Sequence, residues 1–290
     1  MFYQFAPYAG PALAGYEVDF LGCKIRQEFL PSSMRTGVAQ TSYPLPDEEY
    51  PEWIDVLESA VAAREKYTII ELGAGFGRWA VRAAQAVRRS SGCPFHLVAV
   101  EAEPQHFEWL GQHLQDNDID PAQHTLINAA VTQSGGNALF YVSTEHAKDG
   151  GPAQWYGQSL ARERDRVVAG SDYLGHAAQQ HKSGWKSVSV PAITLAEILR
   201  GRDRVDLVDF DIQGEELNVI SSAIGEITRA VKRLHIGTHS RRIERGLRRL
   251  LPKHGWQCLA EYPCFSAQKT PWGRIRFTDG VQSWINPGVG

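Results

Sequence analysis

Tyr67-Thr68-Ile69-Ile70-Glu71-Leu72-Gly73-Ala74-Gly75-Phe76-Gly77 is the stretch whose reading decides the fold. It reads as a short apolar strand, Tyr67–Leu72, a tight turn and the start of a helix that runs from Gly77 to Arg89. Glycines permit positive φ and let another group come close to the backbone. The first turn of a helix offers unpaired amides and the positive end of the dipole, which suits a carboxylate or a phosphate.

Two details choose between those ligands. A dinucleotide fingerprint spaces its glycines G-x-G-x-x-G. Here the third glycine, Gly77, comes one residue early, and Arg78 stands where that fingerprint wants glycine. An acid, Glu71, also precedes the glycines. It would repel a pyrophosphate and can help hold the ammonium of a methionine moiety. Both details favour S-adenosylmethionine (SAM) over NAD, with Glu71, Gly73, Ala74, Gly75 and Gly77 as candidate cofactor residues.

Outward from the turn, strands and helices alternate. Phe95–Val100 reads as a strand ending at Glu101, followed by a helix over Pro104–Asp116 with proline in its first turn. Thr125–Val131, Val205–Phe210 and Arg233–Thr238 read as further strands, with helices over about 215–223 and 241–253. This grammar implies an α/β, Rossmann-like fold with a mostly parallel sheet. Trp256–Tyr262 and Arg274–Trp284 have no helix between them and fit an antiparallel pair at the C-terminal sheet edge. Upstream, a helix over about 52–64 presents Trp53, Val56, Leu57, Ala60 and Val61 on one face. Residues 1–66 read as an extension packed on the core, and 67–290 as the SAM-binding domain. Between the third and fourth strands, 143–191 reads as a long insert that covers the active site. Trp155, Tyr156 and Ser159 are its candidates for an acceptor pocket or for packing.

Glu101 is placed to accept hydrogen bonds from two ribose hydroxyls, although it lies 28 residues beyond Gly73, against the usual ~20. The polar turn 88–94 accounts for the excess. Composition narrows the field of functions. Hydrophobic residues make up 43% and charged residues 22%, so a large core needs no disulfide or metal. A net charge of −3 argues for neither a nucleic-acid nor an anionic-membrane partner. The cysteines Cys23, Cys93, Cys258 and Cys264 are scattered, without zinc-ligand spacing, and no apolar run reaches the ~20 residues of a membrane span. Met1–Gly10 lacks the features of a signal peptide, and the cytoplasm is the expected compartment.

The segment Val205-Asp206-Leu207-Val208-Asp209-Phe210-Asp211-Ile212-Gln213-Gly214-Glu215-Glu216-Leu217 resembles the FkbM family of SAM-dependent methyltransferases, whose signature looks like Asp211-x-Gln213-Gly214-x-Glu216. The lead-in 193–199 and His235-Ile236-Gly237-Thr238-His239 are similar to the same family. The resemblance covers roughly 67–262. Asp209 departs from a frequent lysine, Gln213 from a frequent glutamate and Gly237 from a frequent acid. The resemblance implies a class I methyltransferase fold and a hydroxyl acceptor on a sugar, polyketide or related small metabolite. It also implies adenine contacts from Asn128 and Ala129 at the end of the third strand.

Methyl transfer to an alcohol needs an aligned nucleophile and a group to take its proton. Asp211 and His239, at the ends of the fourth and fifth strands, are the candidates. Either can be the base while the other orients it. The cluster Asp211, Gln213, Glu215 and Glu216 can hold a divalent cation. His106 and His113 read as surface residues, and His235 as structural. Two other functions stay open, an NAD-dependent oxidoreductase and a non-catalytic SAM-binding protein.

Overall fold

A computed structural model of the chain describes residues 1–30, 35, 39, 42–144 and 157–290. The chain opens with a short hairpin, β1 (Tyr16–Val18) and β2 (Lys24–Arg26), followed by α1 (Tyr50–Ala62). The glycine turn links β3 (Tyr67–Leu72) to α2 (Arg78–Arg89). Then come β4 (Phe95–Glu101), α3 (Pro104–Asp116) and β5 (Thr125–Asn128). A β-rich stretch follows, with β6 (Ala130–Val131), β7 (Gly136–Thr144), β8 (Val167–Tyr173), β9 (His176–His181) and β10 (Trp185–Ile193). The second half holds α4 (Leu195–Leu199), β11 (Leu207–Phe210), α5 (Glu216–Ser222), α6 (Ile224–Ala230), β12 (Arg233–Thr238) and α7 (Arg241–Leu250). It closes with β13 (Gln257–Tyr262), β14 (Ser266–Thr270), β15 (Gly273–Phe277) and β16 (Gly280–Ile285).

The central sheet has the order β13-β16-β12-β11-β3-β4-β5. The strands β12, β11, β3, β4 and β5 run parallel, and β16 alone is reversed, pairing antiparallel with both β12 and the edge strand β13. This is a Rossmann-like α/β fold; of the two tail strands expected to pair, 256–262 forms β13, whereas 274–284 divides into β15, which pairs with β14 in a separate hairpin, and β16, which pairs with β13. The order reverses beside β3. The chain leaves it toward β4 and β5, then returns to β11 on its other side, and the crevice at such a reversal is where open α/β sheets bind ligands.

Alternation along the strands makes two cores. Ile69, Leu97 and Leu207 point to the face covered by α1, α2 and α3, where they meet Leu57, Ala80 and Leu110. Their neighbours Ile70, Val98 and Val208 point to the other face, against Leu195, Val219 and Leu247. Period-two side chains on a sheet with helices on both sides require this split.

The N-terminal segment is tied to the core by buried polar groups. Arg82 lies between the rings of Trp53 and Trp79, 4.0 and 4.4 Å from their centroids, and its Nε donates to Asp19 at 3.0 Å. The Asn117 side chain bonds both the amide and the carbonyl of Lys24.

Three expectations need correction. The insert between the third and fourth strands, to which the sequence reading assigned no regular elements, carries β8, β9 and β10. Its described part forms a second sheet in which β10 pairs with β7, β9 and β6. In β10, buried Val188 and Val190 alternate with exposed Ser189 and Pro191, a strand pattern within the insert. Thr125–Val131 is not one strand, because the chain steps at Ala129 from the central sheet into the second. His106 and His113 are not surface residues. They are 3% and 0% exposed, and burial depresses their pKa values to about 3 and about 4, so both rings are neutral.

Candidate active site

Gly73, Gly75 and Gly77 all have positive φ, at +77°, +54° and +77°. They serve different purposes. A Cβ on Gly73 would fall 1.9 Å from the carbonyl oxygen of Asp211, so only glycine lets the turn lie against the end of β11. Gly73, Ala74 and Gly75 line a crevice with Glu71, Glu101, Ala129, Asp211 and His239. Gly77 does not line it. A Cβ there would meet Leu110 at 2.3 Å, so this glycine lets α2 pack on α3. Asn128 also stays out of the crevice lining, donating to the carbonyl oxygens of Glu101 and Ala102.

The amides of the turn are already engaged. Those of Gly73 and Ala74 donate to the Val100 carbonyl at 3.0 Å each, and that of Gly75 donates to Oε2 of Glu101 at 2.6 Å. Oε1 of Glu101 accepts from the Glu103 amide at 2.7 Å. The turn and the carboxylate therefore share one crevice in direct contact. A carboxylate has about four acceptor positions, so Glu101 keeps capacity for a vicinal diol. Burial raises its pKa to about 8 against the pull of those amides. Glu71 accepts from the amides of Trp79 and Ala80 at 3.1 and 2.8 Å, satisfying the first turn of α2. Burial, with the nearby charge of Asp209, holds it well above the usual carboxylate range.

Asp211 and His239 meet at the carboxyl ends of β11 and β12. Nε2 of His239 is 3.3 Å from Oδ1 of Asp211, and its Nδ1 is 2.8 Å from Oε1 of Glu216. Although burial opposes the charge, the two carboxylates raise His239 to about 11, so it stands as an imidazolium donating both N–H groups. Asp211, though enclosed by the crevice walls, is lowered by His239 and by Gln213, whose amide donates to it at 2.8 Å. Its side chain is 58% accessible because it faces the open crevice. Glu216, fully buried, was read from the sequence only as a motif residue and candidate cation ligand; its pairing with His239 was not foreseen. Gln213 holds φ at +49°, an unusual value for a side-chain-bearing residue, in the turn that carries Asp211 and Glu216.

The residues Asp211, Gln213, Glu215 and Glu216, which the sequence left open as a cation site, do not gather into one. Glu215 accepts from Asn218, and Glu216 serves His239 and the Gly214 amide. A different polar group lies deeper. Glu71, Asp209, His235 and Ser283 fall at one level across four adjacent strands. Asp55 of α1 accepts from Arg233 and is bonded to His235 at 2.7 Å each, and Ser283 also donates to it. Of the insert's candidates, Trp155 and Tyr156 lie outside the described residues. Ser159 bonds the Gly157 carbonyl, while Gly157, Gln158 and Leu160 around it line the crevice.

Residues 71–244, more than half of the chain, match the methyltransferase FkbM domain, and the chain belongs to that methyltransferase family. It is 28% identical over 288 residues to a protein of Jannaschia sp. (strain CCS1) named "Putative methyltransferase", covering 98% of this chain and 97% of the relative. Among solved structures, the methyltransferase FkbM of Methylobacillus flagellatus KT superposes with a TM-score of 0.46 at 11% identity, over 77% of this chain and 44% of that one. The C-terminal domain of precorrin-6Y C5,15-methyltransferase from Rhodobacter capsulatus gives 0.41 at 11%, over 89% and 95%. Among the described residues no helix is long and apolar enough to cross a membrane.

Proposed function

We propose that this methyltransferase binds SAM in the crevice and transfers its methyl group to a hydroxyl of a small metabolite, a sugar derivative fitting best, with Asp211 as the proton acceptor. The observation that carries the reading is the meeting in one crevice of Gly73, Gly75 and Glu101 with the Asp211–His239–Glu216 chain. The turn Gly73-Ala74-Gly75, held against the end of β11, lines the space proposed for the methionine tail. Glu101 suits the ribose diol, and Ala129 with Val131 offers an apolar wall beside the base. SAM supplies an electrophilic methyl on a sulfonium that becomes a neutral thioether on transfer.

His239 does not act as the base in this arrangement, because its lone pairs are already protonated. It fixes and polarises Asp211 instead, while Glu216 balances its charge. Asp211 is a weak base, and a weak base suffices. As the acceptor oxygen bonds to the methyl carbon it turns strongly acidic, and its proton passes to the carboxylate late in the step. The crevice walls are acidic. Glu48, Glu52, Asp209, Asp211 and Asp279 line it, and Arg78 is tied by a two-pronged ion pair to Glu49 at 2.6 and 2.7 Å. That field favours a neutral or cationic acceptor, such as an amino sugar, and disfavours a polyanion such as nucleic acid.

The test is turnover of labelled SAM by the full chain with panels of hydroxylated small molecules. Asp211→Asn is expected to keep SAM binding and lose about 10²–10⁴ in kcat. Full activity in that variant would remove Asp211 from the mechanism.

A further inference from the structure

Three side chains that the methyl-transfer scheme leaves idle converge inside the crevice. Glu52 comes from α1, Asp209 from β11 and His235 from β12, and one potential ligand atom of each lies within 4.8 Å of the others. Asp209 is 2% exposed; its carboxyl meets that of Glu52, and its Oδ1 has no other hydrogen-bond partner. Two carboxyls facing each other in a buried place repel when both are ionised, and they call for a shared proton or a bound cation. The histidine is prepared for a cation. Nδ1 of His235 is held 2.7 Å from Oδ2 of Asp55, which is itself fixed by Arg233 and Ser283. With Nδ1 committed there, Nε2 is the ring nitrogen left for a ligand. A carboxylate behind a histidine is the usual outer support of a metal-bound imidazole.

We propose that Glu52, Asp209 and His235 form a binding site for a first-row divalent cation, Mn²⁺ or Zn²⁺. Two carboxylates with one imidazole suit those ions better than Mg²⁺ or Ca²⁺, which prefer all-oxygen shells. Ligand distances of about 2.0–2.2 Å require only that the side chains draw together by roughly an ångström. Three protein ligands leave coordination positions open toward the crevice that all three residues line. A cation there would supply Lewis-acid polarisation of an acceptor oxygen. It would also offset the negative charge concentrated around Asp209 and Asp211. Glu52 gives the N-terminal segment a place in the site, outside the matched family region of residues 71–244.

The test needs no acceptor. The purified full chain is stripped with chelator and titrated with MnCl₂, followed by electron paramagnetic resonance, and with ZnCl₂, followed by calorimetry. One ion per chain is expected. Glu52→Gln and Asp209→Asn should each weaken binding more than 100-fold, and Asp55→Asn, which reaches the ion through His235, about 10–100-fold. Because Glu52 is only half-buried, Glu52→Gln is the variant that should fold normally, checked by circular dichroism and by retained S-adenosylhomocysteine (SAH) binding. Retained SAH binding also separates this site from the cofactor site. No saturable binding of either metal up to millimolar concentration would overturn the proposal. Binding undiminished in folded Glu52→Gln would do the same, because the ion would then sit elsewhere.

Discussion

Replacing Gly73 with alanine probes the contact that joins the cofactor turn to the strand carrying Asp211. The new Cβ would lie 1.9 Å from the Asp211 carbonyl oxygen and 2.9 Å from its carbon, where ordinary contact starts near 3.4 Å. The turn and the end of β11 must therefore separate by ~1.5 Å. Both sides are backbone, so no side-chain rotation relieves the overlap. Two hydrogen bonds oppose the movement, Gly73 N to Val100 O at 3.0 Å and Asp211 N to Leu72 O at 2.9 Å. The left-handed φ of +77° adds about 1–2 kcal/mol for alanine. A shift of ~1 Å at a reacting geometry costs about 100-fold in rate. Gly73→Ala should therefore lower kcat/KM at least about 100-fold, weaken SAH binding and lower Tm by several degrees. Gly92→Ala is the control, with φ of +63° and nothing within 4 Å of its Cβ. It should lose about 1 kcal/mol of stability and leave SAH binding unchanged. Calorimetry and thermal unfolding read both variants. Wild-type SAH affinity and Tm in Gly73→Ala would refute the account of the turn.

Two pH dependences follow from the buried charges. Glu101 must be ionised to accept the ribose diol, and its free pKa is about 8, so SAH affinity should rise about tenfold per pH unit from 6 toward 8 and then level. In Glu101→Gln the slope should vanish and the affinity drop, and an unchanged slope would assign the titration to another group. His239 is raised above its unfolded value, so its contribution to stability is complete below about pH 6.5 and is lost as pH rises toward 11. Asp211 is lowered, so its contribution is present above its unfolded pKa and fades in acid below the folded one. The stability difference between wild type and His239→Gln, measured in urea, should shrink between pH 6.5 and 9, and a constant difference would show that His239 is neutral. The same charge state predicts a kcat profile without a histidine inflection near pH 6–7.

The parts of the fold legible in the sequence were those governed by local rules. Pro104 in its first turn and the Glu103 side chain accepting from the His106 amide fix the start of α3. A six-residue apolar run closed by glycines, such as Tyr67–Leu72, reads as an interior strand, and this one is buried along its whole length. Glu71, Gly73, Gly75 and Glu101 were legible because a turn of this kind constrains nearby residues. What stayed hidden depends on register and on distant chain. Asp209 was visible as a departure from a frequent lysine. That it stands level with His235 and opposite Glu52 follows only from the pairing of β11 with β12 and the packing of α1. His235 looked like an ordinary strand residue because its partner, Asp55, lies 180 positions away. The second sheet was missed because β8 and β9 mix polar, small and exposed residues, a pattern that also describes loops. The helix read over about 215–223 stops where α5 stops, and the reading missed α6 just beyond Ala223.

Equilibrium titration of the intact protein with SAH and, separately, with NAD⁺ bears most directly on the central claim. The crevice built by Gly73, Gly75 and Glu101 predicts saturable binding of SAH at one per chain, no binding of NAD⁺, and loss of SAH binding in Glu101→Ala. Binding of NAD⁺ without SAH, or SAH affinity indifferent to Glu101, would contradict it.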